Sequence, residues 1–125
     1  MAWVANGDIV NNAALGDWTA TTDISLELYE AVMNTNVRAP LFLVQAALPY
    51  IPNGGRIINI SSLATRSMCM GDGMPPMGLY IASKIALEGL SQGWAAEFGH
   101  SRGITVNCAS SPTSFMTGLL NNELI

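Results

Sequence analysis

Three short β-prone runs, Asp8-Ile9-Val10-Asn11, Arg56-Ile57-Ile58-Asn59-Ile60-Ser61 and Ile104-Thr105-Val106-Asn107-Cys108, are separated by stretches long enough to hold helices. This order of strand, helix, strand, helix, strand is the strongest constraint on the fold. Crossovers of such length join parallel strands, whereas antiparallel neighbours need only a tight turn. The first intervening stretch has a helical pattern from about Ser25 to Met33. Beyond Asn34-Thr35-Asn36 it continues with Leu41, Val44, Leu48 and Ile51 at spacings of three and four. It reads as one long helix perturbed near Asn36. Pro49, Pro52 and Asn53-Gly54-Gly55 end it, because proline lacks a donor and glycine accepts the turn. The second helix is expected from Leu79 to Phe98, with Ala82, Ala86, Gly89, Gly93 and Ala96 forming a seam of small residues that lets another helix or a sheet approach closely. One domain over residues 1–125 is expected, of α/β class, with a parallel sheet of three strands and two long helices.

The chain has 125 residues and a net charge of −4, with 50% hydrophobic and only 11% charged residues. Ordinary soluble domains carry about 25% charged residues, so part of the apolar surface is expected to meet a partner. The positive charges are Arg38, Arg56, Arg66, Lys84 and Arg102, which form no basic run, so nucleic acid is not expected as a ligand. Met1-Ala2-Trp3-Val4 runs into Asn6-Gly7-Asp8 with neither the basic start nor the apolar centre of a signal peptide. No apolar run reaches membrane-spanning length, so no membrane partner is expected. Cys69 and Cys108 have no nearby Cys/His grouping, which argues against a metal site or a disulfide framework and for a reducing, cytoplasmic location. His100, alone near a helix end, reads as a solvated capping group.

The chemistry concentrates in Gly78-Leu79-Tyr80-Ile81-Ala82-Ser83-Lys84. Residues four apart share a helix face, so the phenol of Tyr80 and the ammonium of Lys84 can address one spot. A tyrosine serving as proton donor and acceptor near neutrality needs its pKa lowered by about three units, roughly 4 kcal/mol, and a neighbouring ammonium supplies part of that. The alternative is a packed Tyr80 with Lys84 paired to Glu88 at i+4, worth about 0.2–0.5 kcal/mol. Ser61-Ser62, Asn11-Asn12 and Ser110-Ser111 all follow strands and would share the carboxyl edge of the sheet, where open α/β sheets bind ligands. The helix bearing Tyr80 begins at the same edge. Before it, Met68, Met70, Met74 and Met77 with Pro75-Pro76 form either an apolar flap over a substrate cleft or a loop packing on its own domain.

With these residues in place, the chain resembles the short-chain dehydrogenase/reductase family. Asn11-Asn12-Ala13-Ala14 is similar to the family's Asn-Asn-Ala-Gly, and Asn36-Val37-Arg38-Ala39-Pro40 to its helix-four asparagine segment. Arg56 to Ser62 is similar to its serine strand, Tyr80-Ile81-Ala82-Ser83-Lys84 to its active-site motif, and Val106-Asn107 through Pro112 and Thr117 to its post-strand cofactor segment. The resemblance implies a partial Rossmann-like, doubly wound sheet and an oxidoreductase that moves hydride between NAD or NADP, the latter slightly favoured, and a small ketone or alcohol, and the methionine flap points to an apolar one. It implies Tyr80 as acid/base, Lys84 lowering its pKa and holding the nicotinamide ribose, Ser62 orienting the substrate oxygen, and Asn36 holding a water of the proton relay. Ser62 could instead be a strand-end cap, and Asn36 a helix-kink hydrogen bond. Asn12, Arg38, Phe115 and Thr117 would lie near the cofactor, and homo-oligomers would form through the two long helices.

The chain departs from the family pattern at Ala14 and Thr113, which stand where the family has glycine, and in the long separation of Ser62 from Tyr80. The family's first strand, glycine-rich turn and helix, which hold the pyrophosphate, have no counterpart, and Gly71-Asp72-Gly73 lacks both a third glycine and a preceding strand. A truncated member or an incomplete gene product is therefore expected, with weak or no cofactor binding by the chain alone. The competing expectation is a non-catalytic interaction module whose open sheet edge, where a first strand would lie, needs a partner to cover it.

Overall fold

In a computed structural model, residues 2–5, 7–66 and 75–111 are described, the side chains of 2–5 and 111 excepted. Four strands form one sheet in the order β1 (Ala2–Ala5), β2 (Asp8–Asn11), β3 (Arg56–Ser62) and β4 (Thr105–Ser111). As expected, β2, β3 and β4 are parallel, with Asn11 opposite Asn59 and Asn59 opposite Cys108. The expectation of three strands omits β1, which pairs antiparallel with β2 and sets Ala5 opposite Asp8. Ala2-Trp3-Val4 is too short to show an alternating pattern, but Asn6-Gly7 between two such runs is a strong hairpin signal. Gly7 has φ +85°, and a Cβ there would lie 2.4 Å from Pro52 Cδ. The edge of β2 that was expected to need a partner is thus covered by the chain's own strand.

The long first helix forms with the expected perturbation. Ser25 caps α1 (Leu26–Met33) by accepting a hydrogen bond from the Leu28 N–H at 3.2 Å. Residues Asn34–Arg38 then widen into a π-helical turn before α2 (Ala39–Ala47), and the Ala39 N–H donates five residues back to Asn34 O. Pro40 gives the physical reason: it has no N–H for the carbonyl of Asn36, four residues earlier, so the α-helical ladder cannot run through this point. The other long helix, α3 (Gly78–Arg102), ends on Gly103, whose φ of +63° is the left-handed conformation that glycine adopts without a Cβ penalty.

Alternation along the strands turns Ile9, Asn11, Ile57, Asn59 and Ser61 into the protein and leaves Asp8 and Arg56 more open. Ile9 and Ile57 meet Val44 of α2, Trp94 and Phe98 of α3, and Ile51 and Ile104 in the main core, each burial contributing about 1.5–3 kcal/mol. Because α3 buries Lys84, Leu87, Ser91, Trp94 and Phe98, the small-residue seam is not what meets the sheet. Ala82, Gly89, Gly93 and Ala96 are exposed, and a Cβ at Gly89 or Gly93 would meet nothing within 4 Å. Met68, Met70 and Met74 of the expected flap lie outside the described residues, whereas Met77 is buried at the entrance to α3. No helix among the described residues is long and apolar enough to cross a membrane.

Candidate active site

The last residue of β3, Ser62, points its hydroxyl into the turn that follows. Its Oγ accepts from the Ala64 N–H at 3.2 Å and caps a 3₁₀ turn over Leu63–Thr65. Tyr80 stands in the first turn of α3 and Lys84 in the next, and both are buried, with 5% and 2% exposure. Ser62 acts on the Tyr80 hydroxyl from the end of β3 as a neighbour that favours the phenolate. Lys84 Nζ donates to Ile60 O at 2.7 Å and lies 5.8 Å from the centroid of the Tyr80 ring. Serine, phenol and ammonium therefore meet at the carboxyl end of β3. The alternative pairing of Lys84 with Glu88 does not form: Glu88 accepts from the hydroxyls of Ser61 and Thr65 instead.

Burial governs the electrostatics here. It pushes the Tyr80 phenol above its ordinary range, and Ser62, which favours the phenolate, offsets this only in part. The lowering influence comes from Ser62 rather than from the expected Lys84 ammonium, which is turned to Ile60 O. Burial also pushes Lys84 down to about 8, with the Cys108 sulfur acting in the opposite direction. The folded chain thus sheds the Lys84 proton earlier than the unfolded chain does, so stability rises with pH between about 8 and 10.5 and is flat below that window. Against Lys84→Met, the wild-type chain should gain up to about 3 kcal/mol across this range in urea titrations, and a constant difference would count against the buried ammonium.

Asn36 is fully buried and its amide is saturated. Oδ1 accepts from the Leu15 N–H at 2.7 Å, and Nδ2 donates to Leu15 O at 3.0 Å and to Ser83 Oγ at 2.9 Å. Ser83 in turn donates to Tyr80 O at 2.7 Å, so Asn36 braces the backbone of the Tyr80 turn. Arg38 is exposed, 3.4 Å from Asn34 Oδ1 and 5.9 Å from the Phe42 ring centroid. Asn12 is exposed just past β2, while Phe115 and Thr117 lie outside the described residues. Between the end of β2 and the π-helical turn lies a cleft of about 290 Å³, lined by Asn11, Ala13, Thr35, Ala39, Pro40 and Leu43, with no cationic side chain.

Two features escaped the sequence reading. Asn11 Nδ2 donates to Asn59 Oδ1 at 2.7 Å, Asn59 Nδ2 donates to Ser91 Oγ at 2.7 Å, and Cys108 Sγ lies 3.1 Å from the same Ser91 oxygen. This polar row crosses three strands and fastens α3 to the sheet. Its signal is Asn59, a polar residue at an inward position within a run of isoleucines. The second feature is the placement of Glu88. Among the described residues, no group of three or more His, Cys, Asp or Glu side chains could hold a metal ion.

A Rossmann-type α/β sheet with serine, tyrosine and lysine gathered at the carboxyl end of a central strand is the arrangement that the family resemblance implies. The comparisons agree. The family model described as "Enoyl-(Acyl carrier protein) reductase" matches residues 7–122. The short-chain dehydrogenase/reductase FrzI of Cladobotryum sp is 45% identical over 82% of this chain and 38% of its own length. The tetrahydroxynaphthalene reductase PfmaG of Pestalotiopsis fici is 35% identical over 91% of this chain and 39% of its own length. Among solved structures, a blue fluorescent protein from a metagenomic library, in complex with NADPH, superposes with a TM-score of 0.74 at 42% identity, covering 82% of this chain and 39% of that one. The landomycin C-6 ketoreductase LanV with bound NADP and rabelomycin gives 0.75 at 36% identity, covering 90% and 45%. The chain belongs to the short-chain dehydrogenase/reductase family, and it spans less than half the length of the curated relatives it matches.

Proposed function

We propose that this chain is the catalytic region of an NAD(P)-dependent oxidoreductase acting on a carbonyl or alcohol of a small, apolar substrate. The observation that carries the reading is the gathering of Ser62 at the end of β3 with Tyr80 and Lys84 of α3, the Lys84 ammonium lying 5.8 Å from the Tyr80 ring centroid and bonded to Ile60 O of the same strand. Tyr80 gives its proton to the carbonyl oxygen during reduction and takes one from the alcohol during oxidation. Ser62 orients that oxygen, and Lys84 favours the phenolate through its charge and holds the nicotinamide ribose. The Asn36 amide is spent on Leu15 and Ser83, so a relay water would be held by the Asn36 carbonyl, which Pro40 cannot serve as a donor. Bound nicotinamide would supply or accept the hydride.

The residues present fit one end of that cofactor. Buried Tyr80 and Lys84 offer a hydroxyl and an ammonium to the ribose end, whereas the cleft by Asn11 and Thr35 presents no cation to a pyrophosphate. Asn12, Arg38, Phe115 and Thr117 are proposed to flank the cofactor. Relatives named for tetrahydroxynaphthalene and C-6 keto reduction, and neighbours solved with NADP or NADPH, support NADP and a hydroxylated aromatic ketone. A cytoplasmic setting goes with this reading.

Fusing the cofactor-binding front of the Cladobotryum relative ahead of Gly7 tests the proposal. The fusion should bind NADPH and reduce a hydroxynaphthalene-type ketone, while the 125-residue chain alone shows no micromolar binding. Micromolar binding by the chain alone, or a fusion that binds NADPH without turnover, would contradict it. A second reading, a non-catalytic module that pairs with its own copy through the long helices, is favoured by the open seam at Gly89 and Gly93. A dimer that persists on dilution, together with an inert fusion, would select it.

A further inference from the structure

Glu88 sits on α3 one turn beyond Lys84 and two turns beyond Tyr80, on the same face of the helix. Its carboxylate pairs with no cation among the described residues. Instead, Oε1 receives the hydroxyl of Ser61 and, at 3.0 Å, that of Thr65. The Thr65 hydroxyl also lies 2.8 Å from Ser62 O. These contacts fall on both sides of Ser62, the residue whose own hydroxyl receives the Ala64 N–H and acts on the Tyr80 phenol. Ser61 itself faces inward in register with Ser110, so the clamp acts where β3 leaves the sheet and the chain turns away.

We propose that Glu88 is a positioning residue that clamps the Ser61–Thr65 turn to the helix carrying Tyr80, and so holds the Ser62 hydroxyl against the phenol. One oxygen faces two hydroxyls, one before and one after Ser62: Ser61 donates to it outright, while the single Thr65 proton is shared between Glu88 Oε1 and Ser62 O, which makes Thr65 the weaker arm. A lysine partner would have drawn the carboxylate along its own helix and left the turn free. The inference gains catalytic meaning from the proposed function, but its geometry does not depend on that reading.

The test therefore needs neither cofactor nor turnover. The probe is the ring-carbon NMR titration of Tyr80 in the 125-residue chain, assigned by its loss in Tyr80→Phe. Tyr29 and Tyr50, both exposed, serve as internal references. Lys84 on the same helix, and Cys108 beyond it on β4, remain in every variant. Glu88→Ala should move the Tyr80 midpoint upward by about as much as Ser62→Ala does, because either change removes the donor that favours the phenolate. Glu88→Gln, whose amide oxygen can still accept both hydroxyls, should leave it in place. Thr65→Val, which removes one arm, should give a smaller upward shift.

An unchanged midpoint in folded Glu88→Ala overturns the proposal. So does a Glu88→Gln shift as large as that of alanine, since that would assign the effect to charge rather than to the clamp. Should the alanine variant fail to fold, Glu88→Gln and Thr65→Val decide alone, and an unshifted midpoint in Thr65→Val counts against the clamp. An inert NADPH-binding fusion with these shifts present would remove the proposed function and leave the clamp standing.

Discussion

Tyr80→Phe is expected to lower turnover of the NADPH-binding fusion by about 100- to 10,000-fold, the range of a lost general acid/base. That corresponds to about 3–5 kcal/mol of transition-state stabilisation. The prediction is clean because the substitution removes little else. The Tyr80 ring is 5% exposed and packs at the start of α3, and phenylalanine fills the same volume there. The neighbouring Ser62 hydroxyl keeps its hydrogen bond from the Ala64 N–H, so the end of β3 stays ordered. Thermal stability should therefore change little, and NADPH affinity should fall only by the loss of one hydroxyl contact to the ribose, far less than turnover. Equal turnover in both proteins would remove Tyr80 from the chemistry, and a matching loss of NADPH affinity would reassign it to binding.

The second large effect is on stability. Asn36→Leu should cost about 3 kcal/mol or more in urea denaturation, followed through Trp94 in the core, because it strips the N–H and the C=O of Leu15 of their partner and removes the donor to Ser83 Oγ, which keeps only its own bond to Tyr80 O. Leucine matches the branching of asparagine but is bulkier, so the penalty arises from desolvated polar groups and some overpacking rather than from a cavity. Typical domains are stable by about 5–15 kcal/mol, so a change of this size removes a large share of the total. Asn12→Ala, at an exposed position one residue past β2, should stay within about 0.5 kcal/mol. If Asn36→Leu cost less than about 1 kcal/mol, the loop through Leu15 would have to be held by something other than this amide.

β1 bears on why the chain alone is expected to bind cofactor poorly. In the usual doubly wound order, the strand carrying the phosphate turn lies beside the fourth strand, which corresponds to the edge of β2 that faces away from β3. Here that edge is paired antiparallel to Ala2–Ala5. The fusion must therefore replace this hairpin as well as add a front, which is why it joins at Gly7.

Much of the site was legible in the chain because its information is local. The four-residue spacing of Tyr80 and Lys84 fixes a shared helix face, and the strand order fixes that face at the carboxyl edge beside Ser62. Pro40, four residues after Asn36, fixes a break in the helical ladder wherever the helix packs. The hairpin at Asn6-Gly7 was not read from the sequence, because Ala2-Trp3-Val4 is too short to show a strand pattern.

Other features turned on which of several chemically equivalent partners came closest. From sequence, Glu88 could pair with Lys84 on its own helix, but the approach of α3 to β3 gave it Ser61 and Thr65 and gave Lys84 the carbonyl of Ile60. The Tyr80 pKa shows the same division. The neighbouring ammonium argued for a lower value, yet burial depends on everything packed around the ring, and here it raises it. The sequence by itself determined the parallel order, the break at Asn36 and the grouping of Ser62, Tyr80 and Lys84, since each follows from spacing along the backbone. Only the tertiary structure decided the edge pairing of β1, the partners of Glu88 and Lys84 and the protonation balance at Tyr80, because these depend on distances between segments and on the water excluded between them.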